Sequence, residues 1–478
     1  MAKQIDAIVV GSGPNGLSAA IEIARSGYEV CVYEAKPTVG GGMRTLELTL
    51  PGFLHDHCSA VHPLGILSPF FQQLPLEKHG LEWLSTTASV AHPMDHDPAV
   101  MLYKDLEQTA SELGADASCW RKMTSPFLAH PHDLLYDLLG PLRASVRRPG
   151  LMARFGLQAA WPARRFAKTF FREPRTQALF AGCAGHSILP LDQLLTAALG
   201  LIFSICGHLE NWPVARGGSQ SIANALAAHL KGLGGTIQCN WPVDNLCDLP
   251  PSRAILLDLA PSSILRVAGA ALPSGYRKRL QRFNYGPGVF KLDWALSEQI
   301  PWRDSNVSKA TTVHVGGTLD EIAASEAAAW HGTQTEHPFL ILCQQSHADQ
   351  SRAPQGQHTG YAYCHVPSGC DTDMTPFIEN QIERFAPGFR DVILARHVTR
   401  PTDLEADNPN YVGGAVTGGA ANLTQLFTRP VARLNPYTTP NPAIYLCSAS
   451  TPPGGGVHGM CGFHAARSVI RKLEKGAI

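Results

Sequence analysis

The stretch 5-IDAIVVGSGPNGLSAAIEIARSGYEVCVYEAKPTVGGGMRT-45 decides the fold. Residues 5–10 are a short apolar run of the kind that buries both faces in a parallel sheet. Gly11, Ser12, Gly13, Pro14, Asn15 and Gly16 follow at once and fit G-x-G-x-x-G. Residues 17–26 carry helical spacing, and Gly27 stands where a helix C-terminal glycine belongs. Residues 28–33 read as a second strand that ends at Glu34. In such a unit the first glycine permits the tight turn and the second lets backbone approach a pyrophosphate. The third packs the helix on the strand. The helix N-terminus offers unpaired N–H groups to the phosphates. Glu34 falls near the expected place for a ribose-binding acid, about 20 residues past the glycines. Strand, turn, helix, strand and acid occur in the order of a dinucleotide site.

The rest of the composition sets limits. A chain of 478 residues has room for two to three domains. A formal net charge of zero argues against a nucleic-acid partner. The 12 cysteines are scattered, with no C-x-x-C pair, and point to reduced thiols in a cytoplasmic setting. Asp6 interrupts the apolar start, so no secretion signal is expected there. The longest apolar run, 194–206, falls short of the ~18 residues a spanning helix needs.

Beyond the opening unit, Gly41, Gly42, Met43 and Arg44 follow the acid-bearing strand. They suit a second backbone approach to the same pyrophosphate, with Arg44 supplying charge. Residues 51–69 hold His55, His57 and His62, but their spacing matches no metal-ligand set, so no metal is expected and a cavity-lining loop is. Residues 104–210 read as mainly helical, with helices at 105–113, 134–142 and 191–206. Within them, 143–172 mixes arginines and lysine with Leu151, Phe155, Trp161, Phe166 and Phe170 and lacks acidic residues between Asp137 and Glu173. Two readings are open: a helix lying on an anionic membrane surface, or a solvated basic face over a buried aromatic stripe. Residues 212–235 give a glycine turn and an amphipathic helix, followed by strands at 236–243 and 252–259. Strands are expected at 283–296, 337–344 and 358–367, and a helix at 374–385. The C-terminus returns to strand, glycine-rich turn and helix: Gly455, Gly456, Val457, His458, Gly459 and Met460 open the last helix, again aiming N–H groups at negative charge.

GSGPNG with Glu34, GGGMRT, the mid-chain ARGGSQSIANALAAHL and the terminal YLCSASTPPGGGVHGMCGFHAA together resemble the phytoene-desaturase-like FAD-dependent oxidoreductases. These share the glutathione-reductase-type fold with amine oxidases and protoporphyrinogen oxidases. The resemblance implies an α/β plus α+β protein. Its Rossmann-like FAD-binding domain would be assembled from 1–90, 206–280 and 432–478. A helical cap would occupy 91–205 and a substrate-binding mixed sheet 281–431. It implies FAD held by Gly11 to Gly16, by Glu34 and the adjoining Ala35, by Gly41 to Arg44, by the backbone of Val243 and by Gly455 to Met460. Where related sequences carry an acid within GG-x-x-x-GG, this chain has Ala415, which puts its substrate in doubt.

The flavin would supply the redox chemistry, with the protein positioning substrate against N5. No C-x-x-x-x-C dithiol follows the first glycine motif and no second G-x-G-x-x-G stands directly between a strand and a helix, so disulfide reduction and a separate nicotinamide domain are not expected. Electrons would leave to oxygen or a quinone. The substrate is then an apolar C–C bond or, as in amine oxidases, a C–N bond. A further reading is an FAD-containing protein that acts through partners with little catalysis. Lys291 is the one lysine candidate for a catalytic place near the flavin, against a strand lysine whose ammonium reaches water. His458 is a second catalytic candidate, against a turn that acts through its backbone alone. Peripheral contact with the inner face of a membrane is expected only if 143–172 takes its first reading.

Overall fold

The computed structural model describes residues 5–141 and 146–477. Arg143, in the basic segment, and Leu142, at the end of the helix expected at 134–142, lie outside the described residues, as do the outermost ends of the expected terminal domain segments.

Ile5–Val10 is the central strand of a five-stranded, wholly parallel sheet. It pairs with Val30–Tyr33 on one side and Ser252–Leu257 on the other. Thr236–Gln238 and Ile444–Leu446 complete the edges. Alternate residues serve opposite faces, as the pleat requires. Ala7 and Val9 pack with Pro14–Arg25, Gln220–Gly232 and the terminal helix Met460–Leu473. Ile8 and Val10 pack with Ile264, Val267 and Tyr276 on the other face. Burial on both faces is why these strands read as unbroken apolar runs.

The chain leaves this sheet to build a second one and then returns. The second sheet has seven strands, in the spatial order Ile393–Thr399, Gly288–Leu296, His358–Val366, Leu340–Cys343, Ala310–Val315, Ala88–His92 and Val100–Tyr103. All neighbours are antiparallel except Ala310–Val315 with Ala88–His92. The helices between 106 and 210 cover one face through Trp120, Phe166, Phe171, Phe180 and Leu201, and Thr375–Phe385 covers the other. Residues 88–103 thus belong to the mixed sheet, and the helical cap begins at Leu106, not at 91. The strand expected at 236–243 stops at Gln238, and Asn240, at φ +56, turns the chain out of extended backbone. The helix expected from 191 starts at Thr196. Among the described residues no helix is long and apolar enough to cross a membrane.

Four of the seven basic side chains described in this segment pair with carboxylates. Arg147 and Arg148 pair with Asp133, and Arg164 and Lys168 with Asp320. Phe155, Phe166 and Phe171 face the core, while Leu157 and Phe170 remain exposed. The ion pairs are themselves exposed and carry little stability each.

Candidate active site

A cavity of about 580 Å³ runs from the glycine turns at the C-terminal edge of the parallel sheet to the inner face of the mixed sheet. Open parallel sheets place ligands at that edge because the helix N-termini and strand ends converge there.

The nucleotide end is made of backbone. Gly11 takes φ +100, a region that favours glycine, and its N–H donates to the carbonyl of Tyr33 at 2.8 Å. A Cβ on Gly41 would lie 3.1 Å from the Cα of Gly13, so the two glycine turns rest against each other. A Cβ on Gly16 would lie 2.1 Å from the carbonyl oxygen of Gly11, leaving no room for a side chain. Glu34 accepts from the N–H of Ser12 at 2.9 Å, from its hydroxyl at 2.5 Å and from the N–H of Lys36 at 2.9 Å. The acid thereby holds the first turn to the end of the second strand. Tyr33 and Trp241 meet edge to face at 5.6 Å and, with Val243, wall the outer end.

The residues of this end fit a dinucleotide. The turn carries no side chain where a pyrophosphate would approach. The buried Oδ1 of Asn15, at the helix start, has no hydrogen-bond partner in the structure. Asp258, which accepts from the N–H of Gly16 at 2.8 Å, is a second acid lodged against the turn. Burial and then the charge of Glu34 push it up to about 7, against the Gly16 bond. It is therefore far more readily protonated than an ordinary aspartate and opposes an anion less.

A charge cluster closes the middle of the cavity. Asp407, from the helix Pro401–Asp407, accepts from Lys36 Nζ at 2.9 Å and from the guanidinium of Arg44, and His57 Nε2 lies 3.0 Å away. Burial alone would raise the Asp407 carboxyl, but the bonds from His57, Arg44 and Lys36 outweigh it and hold the group well below the usual carboxylate range. Arg44 also donates from Nε to the carbonyl of Gly41 at 3.0 Å, which fixes the second glycine turn.

The far end is an apolar chamber. Alternate residues of the mixed sheet face it: Val289 and Lys291, Ile341 and Cys343, Tyr361 and Tyr363. Val61, Phe203 and Trp212 form the opposing wall. Lys291 is 2 % exposed, bonded to Asp293 at 2.5 Å, with Nζ 4.7 Å from the Tyr361 ring centre. The reading as a strand lysine reaching water is thus corrected. The strand is an inner one, flanked on both sides, with all nine residues buried, so the ammonium has no path to solvent except the cavity.

The remaining expected residues divide plainly. Gly11, Ser12, Gly13, Pro14, Asn15, Glu34, Ala35, Gly41, Gly42, Met43, Arg44, Val243, Gly456 and Val457 line the cavity. Gly16, Gly455, His458, Gly459 and Met460 do not reach its wall. The His458 imidazole is fully buried and accepts from the N–H of Met460 at 3.1 Å, capping the last helix. Burial pushes it down to about 4, so it stays neutral and can accept. Gly459 and Gly462 let that helix pack against Ser18 and Asn15 of the first helix. Ala415 is buried behind the wall formed by Val416, Thr417 and Gly418, so its methyl does not shape the chamber. The three histidines of 51–69 face different partners: His55 an oxygen of Asp293 at 3.7 Å, His57 Asp407, and His62 Ser219 at 2.8 Å. Only His57 lines the cavity.

Sequence reading missed Cys58, His186, Asp258, Tyr361, Tyr363, Asp407 and Tyr411 on the wall. It also missed a buried network behind it. Arg352 donates to Asp56 at 2.6 Å and forms an ion pair with Asp349 at 3.2 Å. Those carboxylates in turn accept from the N–H groups of Ser219 and Gly217 at 2.8 and 2.7 Å. This network docks the mid-chain ARGGSQ turn onto residues 45–56, and Gly218 is required because a Cβ there would strike Thr45.

Comparison with known proteins agrees with this geometry. Residues 9–74 match the model of an NAD(P)-binding Rossmann-like domain. The chain is 26% identical to pyridine nucleotide-disulfide oxidoreductase domain-containing protein 2 of Rattus norvegicus, over 98% of this chain and 94% of that protein. It is 21% identical to a 4,4'-diapophytoene desaturase (4,4'-diapolycopene-forming) of Methylomonas sp, over 96% and 93% respectively. A solved structure of putrescine oxidase bound to putrescine shares the fold, with a TM-score of 0.62 at 15% identity over 99% of both chains. Fold, turn geometry and relatives together make this chain an FAD-type oxidoreductase, related to the desaturases and sharing its fold with the amine oxidases.

Proposed function

We propose that the chain binds FAD along the cavity and removes a hydride from a C–C bond of an apolar substrate, as a phytoene-desaturase-like dehydrogenase. One observation carries this reading: a single cavity joins the glycine turns to a chamber walled by Val61, Phe203, Trp212, Ile341, Tyr361 and Tyr363. FAD would supply the hydride-accepting centre. Gly11 to Asn15, Gly41 and Arg44 would hold its pyrophosphate, Glu34 its ribose and Val243 its adenine. Lys291, pinned by Asp293 and the Tyr361 ring, brings a buried ion pair to the chamber. The aromatic wall orients an apolar substrate and keeps water out.

The charge distribution favours C–C over C–N oxidation. The carboxylates on the cavity wall are engaged at its nucleotide end and middle: Glu34 with Ser12, Asp244 with Arg266, Asp258 with Gly16 and Asp407 with Arg44. Among the described residues no carboxylate lines the chamber to receive a substrate ammonium. The amine-oxidase reading rests on Lys291 alone.

The purified protein is expected to be yellow and to release FAD on denaturation. After photoreduction, fast reoxidation by a quinone and slow reoxidation by oxygen support the dehydrogenase. Fast oxygen reoxidation favours an oxidase, and no competent acceptor favours a protein acting through partners. A colourless protein that cannot be reconstituted with FAD removes the reading. Peripheral membrane contact through Leu157 and Phe170 is a separate proposal. Salt-sensitive pelleting with anionic liposomes supports it, and no pelleting at low salt excludes it.

A further inference from the structure

The chamber carries one hydrogen-bonding feature that the dehydrogenase reading does not use. His186 follows the helix Pro174–Gly185 and lies on the cavity wall, its ring 4.7 Å from Phe203 and 5.3 Å from Trp212 between ring centres. Its Nε2 is 2.9 Å from Nε2 of His314. One of these nitrogens donates and the other accepts, and the surroundings of His314 decide which.

His314 is fully buried on the strand Ala310–Val315, and its Nδ1 has no hydrogen-bond partner. That nitrogen rests against Gly182, where a Cβ would lie only 2.4 Å away. A buried N–H with no acceptor forfeits a strong hydrogen bond to water, whereas a bare ring lone pair is the weaker loss. The His314 proton therefore sits on Nε2 and is donated to His186. His186 accepts at Nε2 and, as a neutral ring, carries its own proton on Nδ1. Both rings are neutral. Burial pushes His186 down to about 3, helped by the neighbouring His365, and holds His314 well below its ordinary value. His365 is itself held by Glu326 at 2.8 Å, so that carboxylate is engaged behind the pair. Among the described residues nothing accepts from Nδ1 of His186, and the ring keeps part of its surface open to the cavity.

We infer that His186 is a substrate-recognition residue whose Nδ1–H donates to one neutral oxygen acceptor, a carbonyl or a hydroxyl, on an otherwise apolar substrate. The inference deepens the dehydrogenase reading, because it narrows the substrate from a plain hydrocarbon to an oxygenated one. A neutral donor in an apolar wall selects a neutral acceptor. An ammonium finds no acceptor there, and a carboxylate would need a charged imidazole.

Carvone and limonene differ by one carbonyl and serve as probes. Their affinities for the purified holoprotein are measured by calorimetry, with flavin content recorded on the same sample. The ketone is expected to bind about tenfold more tightly, the size of one buried hydrogen bond. His186→Phe should remove that gap. Tyr363→Phe, which removes a hydroxyl from the facing, sheet side of the chamber, should keep it. Equal affinities in the wild type, no binding of the ketone, or a gap that survives in H186F overturns the inference. The wild-type comparison decides alone if H186F does not fold. A colourless preparation that still shows the gap overturns the flavin reading and supports this one; a yellow preparation without the gap does the reverse.

Discussion

Replacing Arg352 by methionine is expected to destabilise the protein by about 3–5 kcal/mol, the usual cost of leaving a buried charge without its partner. Arg352 is fully buried between Asp56 and Asp349, and both carboxylates are also engaged by the ARGGSQ turn. Burial would raise the Asp56 carboxyl, but Arg352 together with bonds from Ser219 and Thr45 holds it below its ordinary value. In the wild type this contribution is present in full above the ordinary aspartate range, near ~3.9, and fades as pH falls through the depressed folded value. In R352M the dominant remaining effect is burial, which raises the carboxyl. Its folded state then prefers the protonated acid, so the variant gains stability as pH falls from 8 to 5. Denaturant unfolding at pH 8 and 5 reads the gain in R352M, and a wild-type series below about pH 4 reads the loss. A midpoint unchanged from wild type would show that the pair contributes nothing net.

Gly16→Ala is expected to cost the protein its cofactor. The added methyl would meet the carbonyl oxygen of Gly11 at 2.1 Å and the Asp258 carboxylate at 3.0 Å. The first of these is backbone, so it yields only if the turn opens and the helix start moves away from the phosphate position. Overpacking of this kind costs about 1–3 kcal/mol, or more, which corresponds to a tenfold to hundredfold weaker hold on FAD. The flavin-to-protein ratio and a quenching titration read it out. Gly156→Ala, in a surface helix where a Cβ would meet nothing within 4 Å, is the control and should leave flavin content unchanged. Equal flavin retention in G16A and wild type would falsify the packing role given to Gly16.

The opening unit was legible because its signals are local. Turn, helix and strand succeed one another within 41 residues, and each constrains the next. The strand Ala88–His92 was not, since its composition, Ala-Ser-Val-Ala-His, has little strand propensity of its own. It is made a strand by Ala310–Val315, which lies far along the chain. The buried charges were illegible for the same reason. Nothing in the spacing of Asp56, Asp349 and Arg352, or of Arg44 and Asp407, announces that they meet. The ARGGSQ turn shows the halfway case: its glycines were readable as a motif, but the reason for Gly218, the side chain of Thr45, appears only in three dimensions. His458 was singled out for its place in a glycine-rich turn, and the fold uses it as a helix cap.

The order of strands in the parallel sheet also sets a schedule for synthesis. Ile5–Val10 finds Val30–Tyr33 early, but its other neighbour is Ser252–Leu257, and the strand beyond that is Ile444–Leu446. At ~5–20 residues per second, the ribosome needs on the order of half a minute or more to supply the last of these. During that time the edge of the nascent sheet presents unpaired backbone beside an apolar surface. Newly made chains are therefore expected to draw on chaperones throughout translation, and faster elongation should raise the yield of folded protein.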